Sequence, residues 1–315
     1  MLAVLALLLS LPAPAAELLV LNKGDATLSF IEPSTGRTLK TIGTGEGPHE
    51  IELSADGRLA VVSNYGASVA GNTLSVIDVP ERVEIRRVDL GELLRPHGLS
   101  FSGGQAYFTS EASKRVARFD PASQRVDWQF ETGQEGTHMV LASHDGQKLF
   151  AANMGSNTVS IIARGAEDEW QQALVAVGAG PEGLDQSPDG RQLWTAHSRD
   201  GRVSIIDIAS AKVVDTFDAG TRRSNRLKFT RDGKRVLISD LAGGELVIID
   251  VASRAEQARL ALGAAPTGIL IAPDGRNAYV AVSGANRIAV IDLALLKVSR
   301  TIDTGKSPDG MAWLQ

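Results

Sequence analysis

Three histidines occupy one equivalent place in three successive stretches of this chain: Pro48-His49-Glu50, Pro96-His97-Gly98 and Thr137-His138-Met139. The 315 residues contain five histidines, so three at one position form a pattern rather than a scatter. Imidazole changes charge near its ordinary pKa of about 6.5, so it can meet a polar or an anionic partner. It is also a ligand that zinc, copper, nickel and iron accept. The same place reads Glu182, Asn225, Thr267 and Asp309 in four further stretches. A second row, at the ends of neighbouring apolar runs, reads Asn22, Asn64, Glu111, Asn153, His197, Asp240 and Val282.

If both rows open on one face, His49, Asn64, His97, Glu111, His138, Glu182, His197, Arg226 and Asp309 form a rim of convergent polar groups, with Glu50 beside them. Such a concave polar cluster is the expected place for a ligand. Three readings stay open. Each histidine caps its own structural unit; or the rim reads a small polar or anionic molecule or a protein partner; or His49, His97 and His138 together hold a divalent metal ion or a haem. No local His-x-His or His-x-x-x-His spacing supports the third. Arg222, Arg223 and Arg226 suit an anion contact, because the guanidinium fork matches carboxylate and phosphate. His144, in Ser-His-Asp-Gly, reads as a variant of a turn on the opposite face.

The elements that must position these residues come from a repeat. An apolar run ending in most copies on an acid recurs as Thr27–Glu32, Thr73–Asp78, Arg115–Asp120, Thr158–Ala163, Arg202–Asp207, Glu245–Asp250 and Arg287–Asp292, with ends 42 to 46 residues apart. A full copy supplies a Pro-x-Gly-type first strand, an Asp-Gly or Gly-Gly turn, a second strand, this third strand and a more polar fourth. Strand-rich repeats of that period predict an all-β fold: a single seven-bladed β-propeller with four-stranded blades. The first copy lacks its first strand and the chain ends on one, Met311–Leu314. Pairing it with Leu18–Leu21 closes the first blade and leaves no open sheet edge at the seam.

Composition narrows the function classes. Net charge is −5, so no nucleic-acid partner is expected. There is no cysteine, which excludes disulfides, thiolate metal sites and a cysteine nucleophile. Residues 1–16 are uncharged, with an apolar run at Leu2–Leu11 and Ala13-Pro-Ala15 after it. They read as a cleaved export signal, which places residues 17–315 in the periplasm or outside the cell as one propeller. No later run is long and apolar enough to span a membrane. A closed ring of this size is expected to be a monomer.

The Pro-x-Gly entries, Ser-Pro-Asp-Gly turn, AYVAV and LFAAN runs and VSIID runs resemble the YVTN-type repeat of YncE-like exported bacterial propellers. The resemblance covers nearly all of Glu17–Gln315. It implies the propeller fold, and it leaves function open among binding proteins, cofactor carriers and enzymes. Gly-Pro-His-Glu-Ile with Ser-Asn-Tyr-Gly (Gly47–Ile51 and Ser63–Gly66) also resembles propeller lactonases acting on phosphogluconolactone, over one and a half blades. That similarity implies a hydrolase, with His49, His138, Glu111 or Glu182 as base or metal ligand and Arg226 orienting an anionic substrate. A further resemblance, to the haem-carrying propellers of bacterial nitrite reductases, implies noncovalent haem, since the chain has no Cys-x-x-Cys-His.

Overall fold

A computed structural model describes residues 16–165 and 169–315. The export signal read at residues 1–16 lies almost wholly outside the described residues, as do Glu167 and Asp168 of the acidic loop read as a solvated turn. The described residues form seven four-stranded antiparallel sheets, each with its first strand at the centre of the ring. The first strands begin at Pro48, Pro96, Thr137, Pro181, Ser224, Pro266 and Pro308. Blade 1 joins the two ends of the described chain: Leu18 faces Trp313, Leu19 faces Ala312 and Val20 faces Met311. Blades 2 to 7 follow in chain order. No helix among the described residues is long and apolar enough to cross a membrane.

Alternating side chains explain the core. The middle strands place Val, Ile, Leu and Phe on both faces, because each sheet is covered by a blade on either side. Phe108 and Phe119 of blade 3 pack with Val61, Leu74 and Val76 of blade 2; Trp194 of blade 5 packs with Phe229 and Val236 of blade 6. The fourth strands carry the polar outer surface, for example Lys212–Asp218.

The Asp-Gly turns are longer than the two-residue loop of the tightest hairpins. In the loop after Leu53, Gly57 N donates to Ser54 O at 2.8 Å and Ser54 N to Leu59 O at 2.9 Å, so four residues make the turn. Positive φ is needed only at Gly57, where it is 67°. Asp56 serves instead as a side-chain acceptor, taking the Ser54 hydroxyl at 2.6 Å and Arg58 N at 3.1 Å. Asp145, Asp189 and Asp232 each accept a hydroxyl in the same way, at 2.6 Å.

Candidate functional site

A shared irregularity aims the histidines. In every first strand the pairing with the second strand shifts beside the x residue of Pro-x-Gly. A bulge of this kind turns one side chain out of the pleat and leaves nearby backbone groups unpaired. Hydroxyls on second strands take them up. Ser63 accepts Glu50 N at 3.1 Å and donates to His97 O of the next blade at 2.6 Å. Thr109 does the same for Gly98 N at 2.8 Å and His138 O at 2.6 Å. His97 and His138 are thus tied by their carbonyls to the preceding blade while their side chains turn to the axis.

The glycine after x is a spacing requirement. A Cβ on Gly98, Gly183, Gly268 or Gly310 would come within 2.2 to 2.6 Å of the next blade's backbone. Blades 2, 4 and 6 carry Glu50, Met139 and Arg226 there instead, and these residues line the channel around a small cavity of about 130 Å³. Arg226 bonds the Glu50 carboxylate from across the axis and closes the channel beneath the rim.

Above this bolt lies a cavity of about 180 Å³. All seven x residues line it: His49, His97, His138, Glu182, Asn225, Thr267 and Asp309. They follow one another around the ring. The His49 and His97 rings lie 4.8 Å apart and the His97 and His138 rings 3.7 Å apart. His138 Nε2 is 4.0 Å from Glu182 Oε1, which accepts Asn225 Nδ2 at 2.5 Å.

The second row divides. Strand register sets Ser110, not Glu111, opposite Arg115, in the place held by Asn22, Asn64 and Asn153. Glu111 is therefore one residue further on, in the place of Lys23, Tyr65 and Leu241 of other blades; those three line the cavity, whereas Glu111 does not. Its Oε2 accepts His138 Nδ1 at 2.9 Å. Lys23 pairs with Asp309 at 3.0 Å, and the Tyr65 ring packs on His49 and His97 at 4.8 and 5.5 Å. Lys23, Tyr65, Arg223 and Leu241 were not among the sequence candidates, although Arg223 was noted in a basic cluster; reading the row one residue later would have found the other three.

Asn64 and His197, read from sequence as rim ligands, do not line this cavity. The Asn64 amide donates at 3.0 Å to both Thr73 Oγ1 and Ser75 Oγ of its own blade. His197 is fully buried, with Nδ1 against Asp200 Oδ1 at 3.0 Å. The physical reason is the strand-end position: the side chain points along its own sheet and holds the loop to the third strand. Asn64→Ala is accordingly expected to lower stability by about 1–3 kcal/mol, through hydroxyls left unpaired, and to leave ligand affinity at the cavity unchanged. Urea unfolding and calorimetry separate the two effects.

Burial sets the electrostatics. It lowers the His49 pKa to about 4, although Asp309 pulls the other way. It drives His97 well below the ordinary value, helped by repulsion from His138 and His49. Burial would raise the Glu111 carboxyl, but hydrogen bonds from His138 and Tyr65 outweigh it and hold the pKa low. Burial likewise opposes the charged forms of Asp309 and Arg226. Lys23 and His49 keep Asp309 low, while Glu50, Asp309 and Glu182 keep Arg226 charged.

Among the described residues no three His, Asp or Glu side chains are arranged to hold a metal ion. His49, His97 and His138 lie ring beside ring instead of turning nitrogens to one point, and His49 Nδ1 is engaged with Gly47 O at 2.9 Å. A volume of about 180 Å³ is also too small to enclose a haem.

The chain matches the YncE-like β-propellers over residues 1–120 and 105–272. It belongs to that family. Among curated relatives, Antigen Lp49 of Leptospira interrogans is 23% identical over 184 residues, covering 52% of this chain and 40% of that protein. YncE of Salmonella typhimurium is 24% identical over 168 residues, covering 52% and 47%. The matched part thus spans less than half of either relative. The solved Pseudomonas aeruginosa periplasmic gluconolactonase PpgL superposes with a TM-score of 0.77 at 20% identity, over 95% of this chain and 99% of that one; this likeness is one of fold.

Proposed function

We propose that this propeller is a periplasmic binding protein whose ring cavity holds a small, hydroxyl-rich molecule. One observation carries the reading. Four buried polar atoms on residues lining the cavity, His97 Nδ1, His138 Nε2, Glu182 Oε2 and Asp309 Oδ1, have no hydrogen-bond partner. Each buried polar atom left unpaired costs about 1–3 kcal/mol, so a bound group that satisfies them gains correspondingly. Carboxylate oxygens accept only, and an imidazole nitrogen accepts or donates according to tautomer. Hydroxyls, which do both, are the complement. The volume of about 180 Å³ lies below the usual range of about 300–1,000 Å³ for drug-sized ligands, which favours something of monosaccharide size. The periplasmic placing draws on the uncharged leader-like residues 1–16 and on the location named for PpgL.

Calorimetry with a panel of aldoses, aldonic acids and aldonolactones tests this. At least one is expected to bind, and the combined His97→Ala and His138→Ala substitutions should weaken it by about tenfold or more, as loss of one or two buried hydrogen bonds implies. Unchanged affinity in a folded variant would overturn the reading.

A second reading, lactone hydrolysis, is favoured by the Glu111–His138 pair. With Glu111 accepting from Nδ1–H, the neutral imidazole presents Nε2 as an acceptor able to take a proton from water attacking a carbonyl. Lactone consumption that survives Glu111→Gln undiminished would exclude this role.

A further inference from the structure

The face opposite the histidine cavity holds a hollow of about 400 Å³ at the other mouth of the channel. It draws on blades 4 to 7, and its size falls within the ordinary range of about 300–1,000 Å³ for a small-molecule site. Its walls have two characters. Phe229, Ile269, Leu270 and Ile271 form an apolar side. Lys228, Arg231 and His144 form a polar side. Arg231 also borders an adjoining hollow of about 420 Å³, lined among others by Asp56, Pro273 and Trp313.

The acceptors in this wall are already engaged. Asp185 Oδ2 accepts Phe229 N at 2.8 Å and Oδ1 meets Lys228 Nζ at 3.3 Å. Gln186 Oε1 accepts His144 N at 3.0 Å, and its Nε2 donates to Gly190 O at 3.1 Å. The donors are not. Arg231 spends Nε on Ala272 O at 3.2 Å, leaving both terminal nitrogens without a protein partner among the described residues. A guanidinium with its outer edge free presents two parallel donors to a carboxylate. Lys228 is paired with Asp185, so Arg231 is the cation of this hollow without a carboxylate partner among the described residues, beside an apolar wall.

We infer that this second cavity binds a small amphipathic carboxylate, its head group on Arg231 and its hydrocarbon part against Phe229 and Ile269–Ile271. This goes beyond the ring cavity, with which the hollow shares no residue. Neither row of rim positions includes its residues, and His144 reads from sequence as a turn variant.

The test is displacement of the fluorescent anion 8-anilinonaphthalene-1-sulfonate from the whole protein, using octanoate and octan-1-ol as competitors. Octanoate should compete about tenfold better than octanol, the difference expected for charge-assisted hydrogen bonds. Arg231→Gln, a change at an exposed turn, should remove that preference while leaving octanol unaffected. Equal competition by acid and alcohol on the unaltered protein would overturn the inference without relying on any variant. So would failure of octanoate to displace the probe, or a preference that persists in Arg231→Gln.

Discussion

Arg226→Ala is expected to lower the stability of the propeller by about 3–5 kcal/mol, the usual cost of removing one partner from a buried ion pair. The guanidinium side chain is 6% exposed and that of its partner Glu50 is 17% exposed. These residues lie 176 apart in sequence and on blades that are not neighbours, so the pair spans the channel. Alanine would leave Glu50 beneath the ring cavity without its counter-ion. Asp309 and Glu182 would lose a cation that now offsets them. The combined Arg226→Met and Glu50→Leu change removes both charges and should recover most of the loss, since well-packed apolar replacements of buried pairs are often neutral. Urea unfolding of the three proteins decides the matter. A single variant as stable as the parent would show the pair to be solvated. A double variant as unstable as the single would show that packing around Met139 and the channel glycines, not charge, is what Arg226 supplies.

The fold was legible because its determinants are local. The Pro-x-Gly entry, the turn and the acid-ended third strand recur often enough to set a register, and the seam followed from counting strands at the two ends. The glycine after x has an equally direct cause in the close approach of neighbouring first strands. The first-strand row of the site was legible for the same reason, because equivalent positions in a ring share one direction. The second row was not. Asn64 and His197 look like rim residues in sequence, and a one-residue difference in where the second strand of blade 3 ends sets Glu111 apart from them. Nor does any sequence pattern reveal that Arg226 reaches Glu50, because that contact depends on two long side chains meeting across an axis. The free edge of Arg231 is a matter of which neighbours happen to be engaged, and spacing carries no trace of it.

Glu52→Gln should change how stability responds to acid. Two half-buried groups of one first strand act in opposite senses. The folded pKa of His49 is lowered from 6.5 to about 4, so below about pH 6.5 the unfolded chain takes up a proton that the folded one does not. That contribution to stability is lost as pH falls from about 6.5 toward 4. Glu52 is raised from 4.5 to about 7 by burial, with Lys228 opposing the rise, so the folded chain holds a proton that the unfolded one releases. Its contribution grows as pH falls from about 7 to 4.5. Each displacement corresponds to at most about 3 kcal/mol, so the two nearly cancel across this window. His97, pushed down by burial, adds to the His49 side without a matching carboxyl. The parent protein should therefore lose stability moderately between pH 7 and 4.5. Glutamine at position 52 cannot take up the compensating proton, so the variant's decline should be steeper by up to about 3 kcal/mol over the same interval. His97→Gln should flatten the curve. Urea unfolding at half-unit steps of pH measures all three, and parallel curves for the parent and Glu52→Gln would show that Glu52 does not carry the compensating proton.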